Sequence, residues 1–257
     1  MDYNFHTHTP LCGHATGTEE EYVLRAIEGG IRVMGFSDHI PFRFPDGYEA
    51  TGVRVPVAKA EVYRDTLCAL REKYAHQIEL HIGFESEYYR DEFSTMVENA
   101  RTWGAEYLIL GQHYVHPEHP NGRHCNVPTD DVRLLEEYAD SLVEGIRSGI
   151  FTYVAHPDMF RFTGEDAIFQ DVMRRVCQAS RECGVPLEIN FYGIRDHRHY
   201  PRKALWEIVG QEHAPVTFGF DAHDANGACD LASLDTAMAL VNEYTLNYIG
   251  KPTLIQL

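Results

Sequence analysis

The segment Asp2-Tyr3-Asn4-Phe5-His6-Thr7-His8, followed by Thr18-Glu19-Glu20-Glu21, decides the fold. Residues 2–5 form a short run, with Tyr3 and Phe5 two apart, that reads as a strand. Thr18 with Glu21 three residues on is a capping box, and it opens a helix that buries Tyr22, Val23, Ala26 and Ile27 before Gly29-Gly30 stops it. A strand followed by a helix is the repeating unit of a parallel sheet. Between the two, His6 and His8 lie two apart, so in extended chain both imidazoles point to one side and can chelate one ion.

The same unit recurs along the chain. Further strand candidates span 32–37, 78–84, 107–111, 151–155, 186–190 and 216–220, most of them preceded by a helical stretch, which makes about seven strand–helix units. Two connections, 40–57 and 114–130, carry Pro, Gly and aromatic residues and exceed ordinary barrel loops, so they are expected to shape a substrate pocket.

The chemistry-bearing residues sit where those strands end. His6 and His8 follow the first run, Asp38-His39 the second, Glu85 the third, His113 the fourth and His156 the fifth. Asp221-Ala222-His223 follows the last and repeats the i, i+2 spacing. In a barrel of parallel strands those ends converge on one face. Each residue alone has an ordinary explanation, such as a hydrogen-bonded loop histidine or a solvated glutamate; their joint placement does not. Imidazole suits zinc, iron or manganese and carboxylates can bridge ions, so the mixed set points to a multinuclear site.

The other histidines read differently. His76 and His213 fall at predicted helix ends, where the helix dipole accounts for them. His116, His119 and His124 read as surface loop. His197 and His199 flank Arg198 close to Arg195, a basic segment suited to facing an anionic substrate.

Composition narrows the partners. The 257 residues are 44% hydrophobic and contain no linker or low-complexity stretch, so one globular domain over 1–257 is expected. The net charge of −17 disfavours gripping long nucleic acid but leaves a small phosphate open, because bound cations reverse the sign locally. The six cysteines show no C-x-x-C spacing and read as reduced thiols. No apolar run approaches the ~20 residues needed to span a bilayer and the first residues are not signal-like, so no membrane partner and a cytoplasmic location are expected.

The ordered set His6-Thr7-His8, His14, Ser37-Asp38-His39, Gly83-Phe84-Glu85, His113, Ala155-His156-Pro157 and Gly219-Phe220-Asp221-Ala222-His223 resembles the polymerase-and-histidinol-phosphatase (PHP) superfamily, histidinol-phosphatase branch. The resemblance implies an α/β fold, a distorted (βα)7 TIM-like barrel, holding three divalent ions of zinc, iron or manganese. It implies that His6, His8, Glu85 and Asp221 hold one ion, that Glu85 bridges to a second held by His113 and His156, and that His14, His39 and His223 hold the third. Glu87 is placed to exchange roles with Glu85, and Phe220 stands where relatives commonly carry Ser. Arg195 and Arg161 resemble arginines that contact substrate phosphate.

The implied activity is hydrolysis of a small phosphorylated substrate, L-histidinol phosphate, with a proton for the leaving alcohol coming from Asp38, His39, His223 or a water. Asp38 also reads as an acceptor that fixes neighbouring imidazoles, and Asp158 as a similar group beside His156. Rival readings are a PHP phosphoesterase of nucleotides or short oligonucleotides, an amidohydrolase, and a metal-binding module without turnover. Glu85 in place of a bridging lysine, together with His14 and His39, separates the chain from the amidohydrolases.

Overall fold

The first strand, β1 (Tyr3–Asn4), pairs in parallel with β2 (Val33–His39), and the sheet then grows by one parallel strand at a time in chain order. The chain is described by a computed structural model over residues 1–119 and 121–257. The succeeding strands are β3 (Glu79–Ser86), β4 (Tyr107–Leu110), β5 (Phe151–Val154), β6 (Leu187–Asn190), β7 (Pro215–Gly219) and β8 (Asn247–Tyr248). Helices α1 (Glu19–Glu28), α2 (Ala60–Tyr74), α3 (Phe93–Thr102), α4 (Val132–Arg147), α5 (Asp166–Cys183), α6 (Phe191–Arg195), α7 (Lys203–Glu212) and α8 (Leu234–Glu243) fall between or after them.

The seven expected strands are present, within a few residues at each end. The eighth was not expected: at two residues β8 is too short to show any period, and it pairs only with Pro215 and Val216 at the start of β7. At the other end of β7 the wall closes on β1 directly. Ala222 N donates to His6 O at 3.2 Å and His8 N donates to Ala222 O at 2.9 Å, so the segments carrying both i, i+2 pairs are stitched to each other.

Strands buried on both faces should read as continuous apolar runs, and β4 (Tyr-Leu-Ile-Leu) is buried at every position. Alternation then sorts its residues. Tyr107 and Ile109 point inward with Tyr3, Phe5 and Tyr153 to plug the barrel, whereas Leu108 and Leu110 join the larger core between strands and helices. Tyr107 fits because Gly35 and Gly83 offer no side chain; a Cβ on Gly83 would lie 2.5 Å from its ring. Its hydroxyl donates to Phe5 O at 2.9 Å.

The helices complete the outer layer. Thr18 caps α1 through its side chain and Glu21 reaches back, so the capping box forms as the sequence predicts. In α4 the buried residues Leu135, Tyr138, Ala139, Leu142 and Ile146 follow helical spacing and make one apolar stripe against the sheet. With the interior filled by aromatic rings, the remaining space lies above the plug, at the carboxyl ends of the strands.

Candidate metal centre

Strand geometry delivers the donors to one place. His39 and Glu85 lie within the last two residues of β2 and β3, and His6, His8, His113, His156, Asp221 and His223 occupy the segments just past β1, β4, β5 and β7. His14 arrives from the loop between β1 and α1. Eight of the nine nominated ligands, His8, His14, His39, Glu85, His113, His156, Asp221 and His223, line one cavity of about 330 Å³. The ninth, His6, is fully buried beneath them, its Nε2 3.5 Å from Asp221 and 3.6 Å from Glu85.

Glu85 is the hub. Its Oε1 faces His156 at 2.8 Å and His113 at 3.4 Å, and its Oε2 faces His39 at 3.2 Å, His8 at 3.5 Å and His6 at 3.6 Å. Donor atoms fall within 4.8 Å of one another in overlapping sets: His6/His8/Asp221, His6/Glu85/His156, His39/Glu85/His113 and His8/His14/His39/His223. The carboxylate between two histidine groups is the arrangement a bridging ligand requires.

Whether these residues suit cations can be tested on their hydrogen bonds. Buried polar atoms are nearly always paired. Here His6 Nε2, both Glu85 oxygens and Asp221 Oδ1 are buried without any hydrogen-bond partner among the described residues, and all four point at the same space. In five of the rings the opposite edge is occupied. His6 Nδ1 bonds Glu188 at 2.8 Å, His8 Nδ1 bonds Asp38 at 3.3 Å, and His113 Nδ1 bonds Glu87 at 2.9 Å. Nδ1 of His14 and His223 meets the carbonyls of Cys12 (3.4 Å) and Asp221 (3.2 Å). A histidine that donates Nδ1–H presents Nε2 as a lone pair, the form a divalent cation needs. The donor set fits divalent metal.

Electrostatics agree. Burial alone would disfavour a charged His6, but Glu188, Asp221 and Glu85 lift it to about 10. Burial also opposes ionised Glu85 and Asp221, yet the surrounding imidazoles hold both well below the usual carboxylate range. Burial pushes His223 down to about 3, with His8 adding to the effect. Two donors sit on strained backbone: His156 has φ 31° and Asp221 φ 49°, the left-handed region that non-glycine residues occupy only where surroundings enforce it.

Several expectations change. Glu87 does not bridge, because its oxygens are spent on His113 Nδ1 and on Arg54 at 2.6 Å. Asp38 is not placed for proton delivery: it accepts from Thr9 N (2.9 Å), the Thr9 hydroxyl, His39 N (2.8 Å) and His8, and lies behind the rings. Of the three side chains nominated for that task, His39 and His223 line the cavity. Arg161 is exposed and away from the cavity, and Arg195 points to the far side of the Asp221 segment. Nor do His197 and His199 line it; His199 Nε2 is committed to Met159 O at 2.8 Å. Asp158 turns from His156 to the Arg202 N–H and the Trp206 indole.

The cations that do reach the cavity are Arg54 and Arg198, with His124 beside them. Arg198 lies over the Tyr192 ring at 4.2 Å and donates to its hydroxyl at 2.6 Å. Arg54 is fully buried and paired with Glu87 and Glu118, tying loop 40–57 to loop 114–130. Both loops border the cavity, as expected, apart from Pro120, which lies outside the described residues. Glu188 was missed although a lone glutamate in the apolar run Leu187-Glu188-Ile189 was a usable signal. No helix is long and apolar enough to cross a membrane among the described residues.

A profile of the PHP domain matches residues 4–191, which contain seven of the nine donors, the hub Glu85 among them. The chain belongs to the PHP domain family. This PHP domain is 28% identical over 228 residues to a probable histidinol-phosphatase of Deinococcus radiodurans, covering 85% of each chain. It is 24% identical over 253 residues to a histidinol-phosphatase of Bacillus subtilis, covering 86% of this chain and 92% of the relative. Its fold matches that of a histidinol phosphate phosphatase from Lactococcus lactis solved with zinc, L-histidinol and phosphate, with TM-score 0.70, 17% identity, and 96% and 95% of the two chains covered.

Proposed function

We propose that this PHP domain, acting as a single unit over residues 1–257, is a metal-dependent phosphomonoesterase whose substrate is L-histidinol phosphate. The observation that carries the reading is the convergence of unpartnered buried donor atoms from His6, Glu85 and Asp221 beneath a cavity of about 330 Å³. That volume suits a small monoester, and the net charge of −17 opposes long nucleic acid. The curated relatives, matched over most of their length, supply the choice of substrate.

By the family resemblance, the residues present would hold three divalent ions: one by His6, His8, Asp221 and Glu85, one by Glu85, His113 and His156, and one by His14, His39 and His223; the close sets His6/His8/Asp221 and His8/His14/His39/His223 support the first and the third. Such ions lower the pKa of bound water and neutralise charge on a transferring phosphoryl group. The chain's own contribution is positioning. Glu188, Asp38 and Glu87 fix imidazole tautomers, and the barrel plug closes the site from below. Arg198, held by Tyr192, offers guanidinium N–H groups to a non-bridging phosphate oxygen at the open side of the cavity.

The test is kcat/KM across L-histidinol phosphate, nucleoside monophosphates, phosphotyrosine and an amide, after loading with zinc or manganese. The reading predicts L-histidinol phosphate to lead by at least about 100-fold, roughly 2.7 kcal/mol of transition-state discrimination. A nucleotide preference of that size overturns it.

A further inference from the structure

Arg195 faces away from the cavity, yet it is tied to the metal donors through the backbone. Its Nη1 donates to Phe220 O at 2.9 Å and its Nη2 to Asp221 O at 2.8 Å. Successive carbonyls of a strand point in opposite directions, so one guanidinium reaches both only where the strand geometry has broken. It breaks at Asp221, where φ is 49°. The same Asp221 carbonyl meets His223 Nδ1 at 3.2 Å, and Asp221 Oδ1 lies 3.1 Å from His8 Nε2.

Arg195 is itself held. Asp230, buried, accepts from Nη1 at 3.1 Å and is fixed in turn by Ser233 N (3.1 Å) and Ser233 Oγ (2.6 Å). The guanidinium packs so closely that a Cβ added to Gly227 would lie 3.3 Å from Nη2 and 3.2 Å from Ala222 Cα. This leaves the Arg195 guanidinium half-buried, oriented, and with both Nη groups already donating.

We infer that Arg195, oriented by Asp230, is a positioning residue that holds the Phe220–Asp221 backbone in its left-handed turn and thereby sets the metal affinity of Asp221 and His223. The inference rests on the proposed metal centre. It assigns Arg195 no contact with substrate phosphate.

The experiment compares wild type, Arg195→Ala, Asp230→Asn and the control Arg174→Ala, which removes a helix–helix ion pair to Glu212 far from the centre. Two quantities are read: zinc affinity by competition with a chromogenic chelator, and the inhibition constant of inorganic phosphate at saturating metal. The expected result is a loss of at least tenfold in affinity for at least one zinc in Arg195→Ala, a smaller loss in Asp230→Asn, none in Arg174→Ala, and phosphate inhibition within twofold of wild type. Millimolar guanidinium should restore part of the zinc affinity of Arg195→Ala. Unchanged zinc affinity in both Arg195→Ala and Asp230→Asn overturns the inference, as does a phosphate constant raised tenfold with zinc retained. Should Arg195→Ala not fold, the Asp230→Asn zinc measurement decides alone. Wild type binding no zinc at all defeats the metal centre itself, a different failure from a wild type that binds zinc with Arg195 indifferent.

Discussion

Glu188 accepts a 2.8 Å hydrogen bond from His6 Nδ1, on the side of the ring opposite Glu85 and Asp221. The same carboxylate accepts the His156 backbone N–H at 2.9 Å and an Asn190 side-chain N–H at 2.9 Å, so one strand residue orients two donors. Partners of this kind typically contribute 10–100-fold in metal affinity. Glu188→Gln is therefore expected to weaken zinc binding by roughly that factor while kcat at saturating zinc recovers most of its value, as chelator competition and steady-state kinetics would show.

Two glycines make room for the central carboxylates. A Cβ at Gly111 would stand 1.9 Å from Glu85 Oε1, and one at Gly219 would stand 1.7 Å from Glu188 Oε1. Gly111→Ala and Gly219→Ala should each lose more than about 100-fold in kcat/KM through displaced donors, in keeping with the cost of misplacement at a reacting centre. Gly149→Ala meets nothing within 4 Å but has φ 71°, so it should cost only about 1–2 kcal/mol of stability and leave kcat intact.

Arg54 neutralises Glu87 and Glu118 inside the wall of the cavity. Removing one partner of a buried pair typically costs about 3–5 kcal/mol because the remaining charge stays unpaired. Arg54→Leu should lower unfolding free energy by that amount in urea titrations, and it should reduce activity through Glu87 and His113. Glu118→Gln should cost much less, since Glu87 still pairs with the arginine.

The raised pKa of His6 has a sign that can be checked. In the metal-free chain its folded value, about 10, lies above the ordinary 6.5. The stability this provides is complete below about 6.5 and is lost as pH rises through about 10. The metal-free protein should thus lose Tm between about pH 8 and 10 more steeply than the metal-loaded form. At neutral pH a cation must displace that proton, so binding heats should depend on buffer ionisation enthalpy by at least about one proton. Heats independent of the buffer contradict the assignment of His6.

How much of this was legible follows from where each residue's partners lie. His6, His8, His39, Glu85, His113, His156, Asp221 and His223 could be read because a parallel strand exposes its carboxyl end, so position along the chain encodes position in the site. Asp38 was legible as an acceptor for neighbouring imidazoles and Glu188 stood out in its apolar run, but which rings they hold, His8 and His6, is decided by contacts across 30 and 182 residues that no local pattern reports. Arg195 and Arg198 are three apart in one basic segment, but α6 ends between them, and that turn sends Arg195 behind Asp221 while Arg198 reaches the cavity. His124 read as surface loop because the fold of 114–130 is set by its pairing with Arg54 and with the β5 exit, not by its own composition.

The proposed three-ion centre organised by Glu85 is tested most directly by native mass spectrometry of the chain after zinc or manganese loading. The account predicts a dominant species carrying three divalent ions in the wild type, and in Glu85→Ala a folded protein carrying fewer. A wild type that retains no stoichiometric ion, or a Glu85→Ala variant that binds all three as tightly, contradicts it.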